Sequence, residues 1–167
     1  MISKNSYICI MNSPLGQLGN IPVTVSVFGI SFPPYQEGGI KEIRLLERDK
    51  QIIRLKKGFY VCNPKITGKI LSTELAANHL YAPSYVSMSS ALRYYSLIPE
   101  AVYIKQSMAL KHSRNFDTPL GRFEYAGMLK NVFSVGLTSI KKEGYAFVMV
   151  TLEKALCNLI ANSSNWP

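Results

Sequence analysis

The sequence predicts an α+β protein in two parts, a small basic module ahead of a larger domain, and three features carry that prediction. Residues 40–62 pass from a helical period into a hairpin pattern around a Lys-Gly turn. Beyond Pro99 the chain changes to runs of β-branched and aromatic residues separated by turns. A last amphipathic stretch then restores the helical period at residues 152–160.

Composition narrows the chemistry. The 167 residues are 47% apolar, enough for a real core, and 19 Lys and Arg against 10 Asp and Glu leave a net charge of +9. That balance favours a polyanionic partner, nucleic acid before membrane. Nine of the 19 basic residues lie in residues 41–69 against three acids, so this stretch carries +6. Cys9, Cys62 and Cys157 are odd in number and widely spaced, which predicts buried free thiols in a reducing cytoplasm rather than disulfides or zinc. Residues 1–14 are too weakly apolar for a signal peptide, and no apolar run approaches the ~20 residues of a membrane span. A soluble cytoplasmic protein is expected.

Taken in order, residues 12–39 are broken by prolines and glycines, and only Val23 to Phe28 can be ordered; the alternating valines fit a strand or a short helix equally. From Ile40, Ile43 and Leu46 fall on one side of a helix, while Lys41, Arg44 and Arg48 cluster within a ~60° arc on the other. Gln51 to Leu55, a Lys56-Lys57-Gly58 turn and Phe59 to Cys62 follow as a hairpin. A cationic helix leading into a basic hairpin is the second half of a winged helix-turn-helix: such a helix can enter the major groove while the hairpin tip sets lysines beside phosphates. The fold expected is therefore a partial winged-helix module over residues 1–62, its first ~36 residues atypical, and an α+β domain over 63–167. Lys41, Arg44, Arg48, Arg54, Lys56 and Lys57 are its candidate DNA-binding residues. The alternative is an ordinary solvated helix face and turn.

In the second part, Asn63-Pro64 and Gly68 read as a linker, and Ser72 caps a helix over Thr73 to Leu80 with Glu74 in its first turn. After Pro83, the Pro-Ser-Tyr phrase reads as a rigid lead-in to a second helix capped by Ser87 and stopping before Pro99. Residues 102–110, 122–125, 133–138 and 145–150 read as an antiparallel sheet turning at Thr118-Pro-Leu-Gly121 and Lys141-Lys-Glu-Gly144. Thr151 caps a C-terminal helix whose Leu152, Leu156, Leu159 and Ile160 form a stripe for packing on that sheet.

Catalytic signatures are scarce. His79 and His112 belong to no ligand pattern, His79 reading as a satisfied helix-face residue, and neither a nucleophile elbow nor a phosphate-binding loop is present. No catalytic residue, metal or cofactor is expected. The competing assembly is a metal-dependent nuclease centre of Asp117 and Glu124 with Lys111, against which Asp117 sits in a Thr-Pro-Gly turn where carboxylates cap the backbone. Tyr81, Tyr85, Tyr94, Tyr95, Tyr103 and Tyr125 could stack on bases, but core packing is the expected role. If the strands at 102–110 and 122–125 pair through the intervening loop, Lys105, Lys111, His112, Arg114 and Arg122 gather as a second basic surface; the alternative is a solvated loop tip.

Several phrases recur together in one known family. These are Ile53-Arg-Leu-Lys-Lys-Gly-Phe-Tyr-Val61, Asn78-His-Leu-Tyr-Ala-Pro-Ser-Tyr-Val-Ser87, Ala91-Leu-Arg-Tyr-Tyr95, Leu97-Ile-Pro-Glu100, the run from Lys111 to Tyr125, and Glu153-Lys-Ala-Leu156. In that order, over about residues 41–161, they resemble the antitoxins of AbiE-type (abortive infection, type IV) toxin-antitoxin systems. Residues 1–36 lack the well-formed first helices of such a module, and Trp166-Pro167 stands where family members continue with further helices. The resemblance implies a phage-defence antitoxin and transcriptional regulator. Its N-terminal module would repress its own promoter by binding double-stranded DNA; because the first helices of that module look poorly formed here, modest affinity and a homodimer supplying two half-sites are expected. Its C-terminal domain would counteract a nucleotidyltransferase-like toxin without a stable complex. The rival classes are a metal-dependent nucleic-acid-processing enzyme and a non-catalytic protein-interaction domain.

Overall fold

The computed structural model describes residues 19, 21–27, 39–99 and 103–163. Its helices and sheets make an α+β fold in two compact units, one running to Ser72 and the other starting at Thr73.

The first unit contains β1 (Val23–Thr24), α1 (Gly39–Arg48), β2 (Ile52–Lys56), β3 (Phe59–Cys62) and α2 (Pro64–Thr67). The ambiguous stretch after Pro22 divides between both types: β1 pairs antiparallel with β3, Val23 opposite Tyr60, and residues 25–27 are already helical. The sheet order is β1-β3-β2. Val23, Ile43, Leu46, Ile52, Tyr60 and Cys62 close one core beneath it. The expected linker is a capped helical turn. The Asn63 side chain accepts from the Lys65 N–H at 3.0 Å, Pro64 occupies the first turn, and Gly68, at φ 66°, donates back to the Pro64 carbonyl at 2.9 Å. The Asn63 amide also donates to the Lys50 carbonyl at 2.7 Å, which ties the end of the hairpin to the end of α1.

The second unit runs α3 (Thr73–Leu80), β4 (Ser84–Val86), α4 (Met88–Tyr94), β5 (Ile104–Ala109), β6 (Arg114–Thr118), β7 (Gly121–Gly127), α5 (Lys130–Phe133), β8 (Leu137–Lys142), β9 (Tyr145–Val150) and α6 (Leu152–Asn162). One six-stranded sheet has the order β6-β7-β5-β4-β9-β8. It is mixed rather than purely antiparallel, because β5 pairs with β7, and β4 with β9, in parallel. The cause is β6, expected as loop: it reverses the chain between β5 and β7, so those two strands run the same way. The Pro-Ser-Tyr phrase forms β4, whose three residues are all buried and show no alternation to read. Phe133 ends the helical turn α5, and strand structure resumes only at Leu137, after Gly136 at φ 64°.

Helices cover both faces of this sheet. On one, α3 receives hydrogen bonds at its Ala77 carbonyl from Tyr125 of β7 and Ser84 of β4. On the other lies α6, whose Lys154 ammonium sits 5.1 Å from the centre of the Tyr85 ring. The buried line of α6 runs through Ala155 and Asn158, while Leu156 is 48% exposed, so the leucine stripe does not mark the packing face. A polar pair explains the shift: the buried Asn158 amide donates to the buried Ser87 hydroxyl at 2.9 Å.

Candidate nucleic-acid interface

Helix α1 separates its two chemistries by face. Ile43 and Leu46 are 4% and 9% exposed, whereas Lys41, Arg44 and Arg48 are all exposed. Its end is fixed locally: Lys50 takes a left-handed conformation (φ 56°), and the Gln51 N–H donates to the Leu46 carbonyl at 2.8 Å. Arg48 donates through Nε to Asp49 Oδ1 at 3.0 Å, an exposed pair worth little against a polyanion.

The hairpin follows within a few residues, turning at Lys57-Gly58 with Gly58 at φ 74°. Arg54 and Lys57 are exposed. Lys56 is half-buried, its ammonium 5.3 Å from the centre of the Phe59 ring, because the register shifts between Arg54 and Lys56. The Val25 N–H donates to the Gly58 carbonyl at 3.2 Å, so the segment after β1 braces the tip. The structure thus presents Lys41, Arg44 and Arg48 on one helix, and Arg54 and Lys57 on the hairpin, as exposed cations of one unit.

The second basic set divides three ways. Lys105 pairs with Glu74 at 2.8 Å, and each side chain is about a quarter exposed. Lys111, His112 and Arg114 gather around Tyr81: the Lys111 ammonium lies 5.3 Å and the Arg114 guanidinium 5.9 Å from its ring centre, and its hydroxyl donates to the His112 carbonyl at 3.2 Å. Arg114 also lies over Phe116, at 5.1 Å. Arg122 projects from the opposite face of the sheet, where its Nε donates to Glu124 at 3.0 Å.

The Asp117, Glu124 and Lys111 assembly does not converge. Asp117 lies in β6 opposite Arg122, Arg122 holds Glu124, and Lys111 leans on Tyr81 across the sheet. Thr118, not Asp117, caps the turn, accepting from the Leu120 N–H at 3.1 Å and donating to the Gly121 carbonyl at 2.9 Å. Among the described residues, no group of three or more His, Cys, Asp and Glu could hold a metal ion.

Of the six tyrosines, Tyr85 and Tyr125 are buried and Tyr95 donates to the Val150 carbonyl at 2.8 Å; Tyr103 is 87% exposed. Desolvation lowers the pKa of His79. One functional-looking cation escaped sequence reasoning: Lys154 donates to the carbonyls of Val132 (2.6 Å), Phe133 (3.1 Å) and Val135, and burial lowers its pKa. The available signal was its position, since a lysine in the first turn of a helix opposes the helix dipole and requires acceptors from elsewhere.

Among the described residues no helix is long and apolar enough to cross a membrane. Comparison with known protein families gives no match, and no curated protein matches the chain.

Proposed function

We propose that this protein is the antitoxin and autoregulatory DNA-binding repressor of an AbiE-type system, acting in the cytoplasm, with its first unit holding double-stranded DNA. The observation that carries the DNA half is the opposition on α1 between buried Ile43 and Leu46 and exposed Lys41, Arg44 and Arg48, immediately ahead of a hairpin tipped by Lys57. A helix of that polarity can lie in the major groove with its apolar side still anchored, while the hairpin meets the phosphate backbone. The third strand, β1, supports the winged-helix reading by pairing along the free edge of β3. The antitoxin half rests on the resemblance over about residues 41–161 and on no geometry of a toxin site; the partner would be a nucleotidyltransferase-like toxin that forms no stable complex with it.

The test is a titration of the protein on its own promoter duplex and on a scrambled duplex across salt concentrations, with co-expression beside the neighbouring toxin-like gene. Promoter-selective, salt-sensitive binding and relief of toxicity support the proposal. Salt-insensitive or absent binding to both duplexes removes the DNA role, and unrelieved toxicity removes the antitoxin role.

A further inference from the structure

Strands β5, β7 and β6 lie side by side, and their registers set Gln106 beside Glu124 and Glu124 beside Asn115. Alternation along each strand puts these three side chains in one row, on the face opposite Phe123 and Tyr125. A sheet face next to a packed helix is ordinarily apolar. Here the row of amide, carboxylate and amide lines a cleft of about 280 Å³ that Met88, Ala126 and Leu159 also line. Ala126 is the next residue along β7 on the same face, and its small side chain leaves the space open.

The hydrogen bonds already made define what the row has left to offer. The Gln106 carbonyl oxygen accepts from the Ser89 N–H at 3.2 Å, so its amide nitrogen is the free end. Glu124 Oε1 accepts from Arg122 Nε at 3.0 Å, which holds the carboxylate in place while Oε2 stays unpaired. With its amide turned so that the nitrogen faces an acceptor and the oxygen a donor, Asn115 donates to the Arg114 carbonyl at 3.1 Å and accepts from Arg122 at 3.3 Å. The row therefore presents a fixed carboxylate acceptor next to an amide donor.

We infer that this cleft binds a guanine base, with its N1–H and exocyclic amine on the Glu124 carboxylate and its O6 on the Gln106 amide nitrogen. Guanine is the common neutral base whose one edge carries two adjacent donors followed by an acceptor. Adenine and cytosine each offer one amino group beside an acceptor, and uracil one N–H between two acceptors, so each would leave a lone pair facing the carboxylate. The volume is near the lower end of the ~300–1,000 Å³ of small-molecule clefts, which suits a base with part of its sugar rather than a dinucleotide.

The test uses the full chain and measures nucleoside binding by ligand-observed NMR and equilibrium dialysis. Guanosine should bind saturably, adenosine and cytidine far more weakly. Inosine, which lacks the exocyclic amine, should bind about tenfold more weakly, the effect of one charge-assisted hydrogen bond of ~1.4 kcal/mol. Glu124→Gln replaces an acceptor with a donor and should weaken guanosine at least about tenfold. Ala126→Leu should abolish binding by filling the cleft while leaving the polar row intact. Circular dichroism and cooperative melting identify the variants that remain folded, and either one suffices. Guanosine 5′-monophosphate and a guanine-containing trinucleotide separate the sources: tighter binding of the first marks a free nucleotide and of the second a base within a strand, and both support the site. No saturable guanosine binding, equal affinity for adenosine, or guanosine affinity unchanged in a folded variant overturns the inference.

Discussion

The hydroxyl of Tyr125 donates to the carbonyl of Ala77 at 2.7 Å, joining β7 to the last turn of α3. That carbonyl is among the four at a helix C-terminus that lack a partner within their own helix. The Ser84 hydroxyl reaches the same oxygen at 3.3 Å. Sheet and helix are thus fastened at one atom by two strands.

Tyr125→Phe should accordingly cost only about 1 kcal/mol, because Ser84 remains as a partner. Adding Ser84→Ala should cost more than the two single changes together, with a coupling of roughly 0.5–3 kcal/mol as the buried carbonyl loses its last side-chain donor. Denaturant unfolding of the four proteins in the cycle measures this, and strict additivity would contradict the shared acceptor.

Lys154 should act as the fastener of residues 132–136. Lys154→Met keeps an unbranched side chain but removes the ammonium from the Tyr85 ring and leaves three carbonyls without their cation, so a loss of roughly 1–3 kcal/mol is expected. Hydrogen exchange in residues 134–137 should accelerate more than in β5 or β7. Uniform acceleration would mean that the contact holds no particular segment.

DNA contacts on the helix and the hairpin should separate by salt and by sequence. Lys57→Ala and Arg54→Ala should each lower the salt-dependence slope by about one unit and weaken promoter and random duplex alike, since each phosphate contact releases close to one counterion. Arg44→Ala should cost about 1–3 kcal/mol on the promoter and much less on random DNA if it reads a base edge. Lys56→Ala should have a smaller effect than Lys57→Ala, because its ammonium lies against Phe59. Equal losses for Arg44→Ala on both duplexes would demote α1 to a backbone contact.

Burial raises the pKa of the Cys62 thiol to about 11, while Cys157, expected to be buried too, is exposed because the buried line of α6 runs through Ala155 and Asn158. In a Cys9→Ser background at pH 8, one thiol should react quickly with a disulfide reagent and the other only at the rate of unfolding. Cys157→Ser should remove the fast phase. A fast phase surviving that change would place Cys62 within reach of solvent.

His79 carries a pH dependence of definite sign. Desolvation lowers its folded-state pKa below the unfolded value of about 6.5, so folding favours the neutral imidazole. The contribution is fully present above pH 6.5 and is lost as pH falls through the folded pKa. The effect should be small, because the residue is exposed. His79→Gln should flatten that part of the stability profile, and an imidazole titrating above 6.5 by NMR would reverse the sign.

The α1 faces and the hairpin were legible because burial on one side of a ten-residue helix imposes a period, and a Lys-Gly turn between apolar runs has few other uses. The centre of the second sheet was not. Its strand β4 has three residues buried on every side, too few for any period, and β6 alternates only weakly because it lies at the sheet edge. The guanine-sized cleft was invisible for a related reason. Gln106, Asn115 and Glu124 are scattered in the chain, and only the parallel pairing of β5 with β7 together with the antiparallel pairing of β6 with β7 sets them in line. The Lys154 contacts are to backbone carbonyls, which leave no trace in side-chain pattern.

The parallel partnership of β4 and β9 joins Val86 to Met149. A ribosome must therefore synthesise the chain past residue 150 before β4 can gain its second neighbour. Until then an apolar strand stands with one flank open, a template for foreign strands. Pairings so distant in sequence also close slowly, since their loop entropy is spent before any contact forms. The second unit should consequently be the part of this protein that leans on chaperones and suffers most from premature termination, and nascent chains halted between β8 and β9 should be its most aggregation-prone form.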